Sequence, residues 1–378
     1  MKIEEYVSGH FEKGYNYKYF VPEKINHDWT WDDPSLSVLL EKASMKLGEL
    51  NSMARMVPDI DMFIQMHVTN EAVISSRIEG TKTNIEEALL PEEEIDPEKR
   101  DDRKEVRNYT KALNDSIKRM ENFPLSTPLI KEAHKILMEN VRGKTKLPGE
   151  FRSSQNWIGG ASLADAVFIP PSHEFVGELM DDLENFIHNN HIQVPELIRI
   201  ALAHYQFETI HPFLDGNGRI GRLMITLFLV EKKILDKPLL YLSYFFEKNR
   251  NLYYDNLSNV RTKNDLLRWI KYFLVGIEEV SGKSIDTLKK IIVLKKGMEA
   301  EIRTWKRRND APYLLMDYLF QIPFVTIADV QTITGLSKKA AGDLVKLFEE
   351  KKFIYNVTKN IRYKIFVFKP YLDLFKDE

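Results

Sequence analysis

The chain has 378 residues, 43% of them hydrophobic and 29% charged, with a formal net charge of −2. That length can build a large core and two or three domains, while so small a net charge gives no general attraction to nucleic acid or an anionic membrane. There is no cysteine, so disulfides and thiol-based metal or redox chemistry are excluded.

Residues 1–33 are aromatic-rich with scattered glycine and proline and read as an arm packed onto the body. From Pro34 the pattern turns helical, carried by Leu36, Val38, Leu39, Leu40, Ala43, Leu47 and Leu50. A second helix is predicted from Asp59 to about Glu79. Residues 91–107 mix both charges densely, the usual mark of a solvated helix or linker, and no function is assigned to them. Helices are predicted over 107–122 and 128–140. Between 143 and 171 the pattern is broken by Gly149, Gly159, Gly160, Pro170 and Pro171. Within that break, Asn156-Trp157-Ile158 and Ala166-Val167-Phe168-Ile169 predict a hairpin, the one clear strand signal in the first 300 residues. Helices resume at 174–189, 195–208 and 217–232, and from 243 to about 308. In the tail, residues 326–330 begin a short helix, Thr334-Gly335-Leu336 turns, and 337–350 forms a second helix with Ser337 as N-cap. Strand-like runs follow at 353–357 and 363–367, giving the element order of a winged helix. Residues 1–6 carry no apolar leader-like run, and the longest apolar run, 223–230, is too short to span a bilayer. The chain reads as cytoplasmic, with no membrane partner.

Residues 211–222 read His-Pro-Phe-Leu-Asp-Gly-Asn-Gly-Arg-Ile-Gly-Arg. Gly216, Gly218 and Gly221 let backbone N–H groups approach a phosphate, and such groups opening a helix make an anion site. Arg219 and Arg222 add fixed charge and bidentate grip. Asp215 can hold Mg²⁺, which binds through one or two carboxylates plus substrate phosphates. His211 is a titratable imidazole suited to moving a proton. Gly216 to Gly221 also satisfies G-x-G-x-x-G, but a dinucleotide fingerprint needs a preceding strand. Leu197, Ile198, Ala201, Leu202, Tyr205 and Phe207 instead repeat at helical spacing, so that reading is rejected.

The 211–222 stretch resembles the Fic-family signature H-P-F-x-[D/E]-G-N-G-R-x-x-R at every position. Gly149-Glu-Phe-Arg152 with the hairpin after it resembles the family's flap (about 149–171). Asn249-Arg250 and Tyr253-Tyr254 resemble a segment that meets the adenine. Ser75-Ser76-Arg77-Ile78-Glu79-Gly80 resembles the family's inhibitory motif, [S/T]-x-x-x-E-[G/N]. The resemblance implies a mainly α fold: a Fic-type helical bundle with a small β-hairpin flap, followed by a C-terminal winged-helix domain. It divides the chain into an N-terminal helical region (1–110) with an inhibitory helix at about 59–80, a catalytic domain (111–300) and a winged helix-turn-helix domain (310–378).

The implied activity is transfer of AMP from ATP to a Ser, Thr or Tyr hydroxyl of a target protein. The resemblance implies His211 as catalytic base and Asp215 as Mg²⁺ ligand. It assigns ATP contacts to His211, Gly216, Asn217, Gly218, Arg219, Ile220, Gly221, Arg222 and Tyr254, with Arg222 on the γ-phosphate. Ser75, Glu79 and Gly80 are the inhibitory residues, Glu79 pairing with Arg222. Self-modification and a homodimer are both compatible with this reading. The rivals are removal of AMP, another Fic-type transfer of a phosphate-bearing group, and a winged-helix DNA-binding regulator. Lys338, Lys339 and Lys346 speak for the last, but residues 310–378 hold 10 Lys/Arg against 9 Asp/Glu, without the concentrated basic face of a DNA binder.

Overall fold

The computed structural model describes residues 1–57, 60–90, 95–141, 146–305, 310–358 and 364–376. The predicted helix start at Asp59, the first residues of the mixed-charge run, the opening of the break at Gly143 and the strand start at Tyr363 lie outside the described residues.

The chain opens with an antiparallel hairpin, β1 (Gly9–Lys13) and β2 (Lys18–Pro22), in which Phe11 faces Phe20. Helix α1 (Pro34–Met56) begins at Pro34 because Asp33 caps it, accepting from the N–H groups of Ser35 and Leu36. Helix α2 (Ile60–Ile78) and short α3 (Ile85–Leu89) follow, the latter opened by a capping box between Asn84 and Glu87. Next come α4 (Arg100–Arg119), α5 (Thr127–Leu137), α6 (His173–His188), α7 (Glu196–Ile210) and α8 (Asn217–Glu231). Helices α9 (Ser243–Lys248) and α10 (Arg250–Lys263) lead into α11 (Leu266–Arg303), a 38-residue spine against which α1 packs.

Almost every residue of α7 and α8 is buried. A helix apolar on all sides belongs at the centre of a core, and these two lie side by side there with the twelve-residue motif as the loop between them. One core runs from Ile3 through Leu288 and includes residues of both the N-terminal region and the Fic-like segment.

A second core forms around α12 (Ala311–Gln321), β3 (Phe324–Thr326), α13 (Ile327–Thr334), α14 (Lys338–Glu350), β4 (Tyr355–Asn356), β5 (Ile365–Val367) and α15 (Lys369–Leu372). Its antiparallel sheet has the order β3-β5-β4, Val325 facing Phe366 and Tyr355 facing Val367. Phe63, Met66 and Ile85 belong to this second core although they precede it by more than 200 residues.

Two differences from the sequence reading concern strands. The hairpin predicted over 156–169 is reduced to a single bridge between Ile158 and Phe168. Gly159 and Gly160 take positive φ (68° and 73°), and Asp165 binds the N–H groups of Ala161 and Ser162, so the segment between is a wide turn rather than a ladder. The N-terminal arm, by contrast, contains the unpredicted β1–β2 hairpin, whose Phe20 N–H donates to Ile169 O at 3.0 Å. Helix α4 also begins seven residues before the predicted start and takes up much of the mixed-charge run, burying Asp102 and Arg103. No helix is long and apolar enough to cross a membrane among the described residues.

Candidate active site

His211 ends α7 in the left-handed region (φ 51°), which turns the chain out of the helix and into the loop. Asn217 staples that loop: its Oδ1 accepts from Phe213 N–H and its Nδ2 donates to Phe213 O, both at 2.8 Å. Gly216 caps α8 at φ 76° without a side-chain bond, and Ile220 N–H returns to Gly216 O. The first-turn N–H groups of Asn217, Gly218 and Arg219 therefore point at whatever sits on this helix end.

Beside this turn lies Glu79. Its Oε1 lies where a Cβ on Gly218 would collide with it, and accepts from Arg222 Nη2 at 2.6 Å. Arg222 is buried, with a side chain 2% exposed, and also donates from Nε to Ser75 Oγ (2.8 Å) and from Nη2 to Ser75 O (2.9 Å). Burial pushes the Glu79 carboxyl up, but the neighbouring Arg222 guanidinium outweighs it and leaves the group below the usual carboxylate range. Gly80 follows with φ 105° and ends the helix that carries Ser75 and Glu79.

The remaining predicted residues are placed unevenly. Asp215 is half exposed (46%), with Oδ1 taking Gly216 N–H at 2.6 Å and Arg219 Nη2 at 3.7 Å. Arg219 is spent on Glu105 of α4, Nη1 to Oε2 at 2.8 Å. Asn217 uses both ends of its amide within the loop, so only its backbone faces the helix end. Ile220 is in the core and Gly221 packs on Glu208. Tyr254 is 40% exposed and stacks by Tyr253 at 5.2 Å, with Glu79 and Arg222 acting on its hydroxyl electrostatically.

Several residues to which the sequence reading gave no role at the site hold this arrangement. His134 of α5 stacks on Phe213 (3.8 Å, 9°), accepts Gly149 N–H at Nδ1 and meets Asp215 O at Nε2. Because Nδ1 accepts, Nε2 must carry the proton, and burial keeps the ring neutral with its pKa near 4. Arg152 donates to the carbonyls of His211, Ser154, Pro171 and Ile210, and Asn156 to Phe213 O, fastening the flap to the motif. Arg261 lies 3.8 Å over the Phe168 ring and donates to Thr209 Oγ1 and Glu208 O. His204 joins Gly221 O to Tyr253 Oη. A lone histidine or arginine on a helix gives no signal in one sequence, since only folding brings its partners to it.

These surroundings act on His211. Burial, then the Arg152 and Arg261 guanidiniums, push its pKa down to about 3, with Glu79 pulling the other way. The imidazole is thus neutral at neutral pH, with one ring nitrogen free to accept a proton, and phosphate charge arriving beside it would raise its basicity.

Residues 38–118 match the Fic/DOC family N-terminal region and residues 124–229 the Fic/DOC family itself. These two regions belong to the Fic/DOC family. The Fic motif lies inside the second match, and Ser75 and Glu79 lie inside the first. Among similar proteins, the protein adenylyltransferase Fic of Drosophila erecta is 33% identical over 121 residues, 32% of this chain and 22% of that one. The protein adenylyltransferase fic-1 of Caenorhabditis elegans is 29% identical over 178 residues, 47% and 32%. The matched stretches thus span less than a third of either relative. The Fic fold is seen again in a Fic family protein from Desulfovibrio desulfuricans G20 (TM-score 0.55, 20% identity, covering 89% of this chain and 96% of that one). A Fic domain containing signaling protein from Bacteroides thetaiotaomicron VPI-5482 shows it too (TM-score 0.54, 21% identity, 66% and 97%).

Proposed function

We propose that this Fic protein moves AMP from ATP to a hydroxyl of a protein substrate and that Glu79 holds it inactive. One observation carries the reading: a carboxylate lies against Gly218, in the first turn of α8, while bonded to Arg222. That place suits an anion, and a triphosphate is the anion for which the loop's glycines and arginine are suited. The names of the relatives, protein adenylyltransferases, point to the same chemistry.

In this mechanism His211 Nε2 takes the proton of the attacking hydroxyl, whose oxygen bonds to the α-phosphorus as pyrophosphate departs. A neutral imidazole, the state in which burial keeps His211, is what this step needs. Arg222, released from Glu79, binds the γ-phosphate, and the first-turn N–H groups of α8 receive phosphate oxygens. Asp215 fits a Mg²⁺ ligand: it is half exposed beside the anion site, and no cluster of three His, Asp or Glu residues forms among the described residues. A single carboxylate with phosphate oxygens is the arrangement Mg²⁺ accepts. Bound there, the ion neutralises charge on the phosphates. Tyr254 lies where the nucleotide's base is expected. The tail, residues 310–378, is read as a winged helix-turn-helix domain that docks protein rather than DNA, and the chain as cytoplasmic.

The deciding experiment supplies ATP labelled at the α-phosphate to wild-type protein and to Glu79→Gly. The variant should label itself and proteins of a lysate more strongly, and Arg222→Ala should suppress that gain. Unchanged labelling by Glu79→Gly would remove the inhibitory role. Loss of AMP release from a pre-modified target in Glu79→Gly would instead make Glu79 the residue that positions water for AMP removal.

A further inference from the structure

The inhibitory helix has two ends with different attachments. Phe63, His67, Glu71, Ser75 and Glu79 are four apart and form one continuous row along α2. At the far end the row enters the second core: the Phe63 ring meets Phe320 edge-on at 5.7 Å, and the His67 ring meets Phe375 at 5.0 Å and 76°. In the middle, Glu71 accepts from Tyr109 Oη and Ser243 Oγ. At the near end Ser75 and Glu79 hold Arg222. The twelve residues from His67 to Glu79 span about 18 Å of helix axis. A helix bends sharply only where its backbone bonds are interrupted, so displacement at one end of this rod is felt at the other.

We propose that the C-terminal segment 373–376 is a latch holding α2 in its blocking position, so that withdrawing the segment switches the site on. The inference rests on the reading that Glu79 blocks the site. The segment is tied to α2 and α3 at one point each. Phe375 meets the His67 ring edge-on, and Lys376 Nζ pairs with Glu86 Oε1 at 2.6 Å on α3, the helix just beyond Gly80. The latch is loosely seated. Between His67, Asn70, Glu71, Tyr244, Leu374 and Phe375 lies a small cavity, and the buried His67 Nε2 and Glu71 Oε2 have no hydrogen-bond partner. Voids and unpaired buried groups weaken a contact relative to close packing, which is the property a releasable contact needs. A protein partner that binds the C-terminal domain better with the segment withdrawn would raise activity by its difference in affinity for the two arrangements.

The test compares self-labelling from α-labelled ATP in four full-length variants: Phe375→Ala, Lys376→Glu, Glu79→Gly and Phe375→Ala with Glu79→Gly. Phe375→Ala and Lys376→Glu should each label several-fold above wild type, and Phe375→Ala should add nothing once Glu79 is gone, because both act through one blocked state. Lys376→Glu combined with Glu86→Lys restores the ion pair reversed and should return labelling to the wild-type level; that rescue decides the matter if Phe375→Ala proves too unstable to assay. Glu79→Gly active with Phe375→Ala and Lys376→Glu both at wild-type level overturns the latch and leaves the site reading intact. Glu79→Gly at wild-type level removes the inhibitory reading itself.

Discussion

At the scale of single residues, the proposed function makes the site a competition between two anions for one place. Gly218 shows this most directly, since a methyl group there would strike both Glu79 Oε1 and Arg222 Nη1. Overpacking of this kind costs about 1–3 kcal/mol. Gly218→Ala should therefore expel the Glu79 carboxylate and also weaken ATP binding, by roughly tenfold or more, without the gain in transfer that Glu79→Gly brings. Calorimetric titration with ATP checks it; unchanged affinity together with raised transfer would show that the phosphates bind elsewhere. His211 gives a second prediction. In the proposed mechanism its neutral form is the active one, so activity is lost as pH falls through its pKa, which burial and two guanidiniums hold near 3. The acid limb of kcat/KM, measured in Glu79→Gly, should lie well below the ~6.5 of a free imidazole, the more so because the Glu79 charge that raises this pKa is gone. His211→Ala should lower transfer by about 10²–10⁴-fold while ATP still binds. An acid limb near ~6.5 would mean that the histidine is not in the environment described here.

At the scale of elements, what could be read from the sequence and what could not separate along one physical line. Helices with strong apolar periodicity, α1, α7 and α8, lie where the pattern put them, because burying a stripe is decided within one element. The pairing of Ser75 and Glu79 with Arg222 follows from a spacing of four on one helix combined with a recognisable motif. What was not legible depends on partners distant in sequence. Arg219 looks like a free phosphate ligand until Glu105, 114 residues earlier, is folded against it. The N-terminal hairpin has only Phe20, Val21 and Pro22 buried, too short an alternation to declare itself. The flap shows the same dependence. Its shape rests on Arg152, whose guanidinium serves carbonyls from both the flap and the motif and has no carboxylate partner among them, so that burial lowers its pKa to about 10. Arg152→Ala strands those carbonyls, and each buried group left unpaired costs about 1–3 kcal/mol. The variant should melt several degrees lower and, even where folded, lose transfer to protein more than it loses ATP binding. Melting at the wild-type temperature would show that the flap holds its place by other contacts.

At the scale of the whole molecule, the buried titratable groups set a stability profile that can be worked out in advance. Burial raises two carboxyls, Glu71 and Glu208, to about 7. Burial depresses four histidines, His67 and His134 to about 4 and His204 and His211 to about 3. A raised carboxyl favours the folded state when protonated, and that favour is lost as pH rises through about 7. A depressed histidine favours the folded state when neutral, and that favour is lost as pH falls from the ~6.5 of the unfolded chain toward the folded value. Near neutrality the two effects balance, because the folded state holds about one proton on the carboxyls and the unfolded chain about one on the histidines. One unit below the free-histidine value, the unfolded chain binds nearly four protons on these histidines while the folded carboxyls hold nearly two. The unfolded state then carries an excess of about two protons, and stability falls on the order of 2–3 kcal/mol per pH unit. The melting temperature should therefore peak close to neutral pH and drop steadily below ~6.5. His67→Gln, which removes one of the four histidines, should shallow the acid slope by about half. A melting temperature that kept rising down to ~5 would mean that the buried carboxyls outweigh the histidines and that the neutral histidine core described here does not govern the fold.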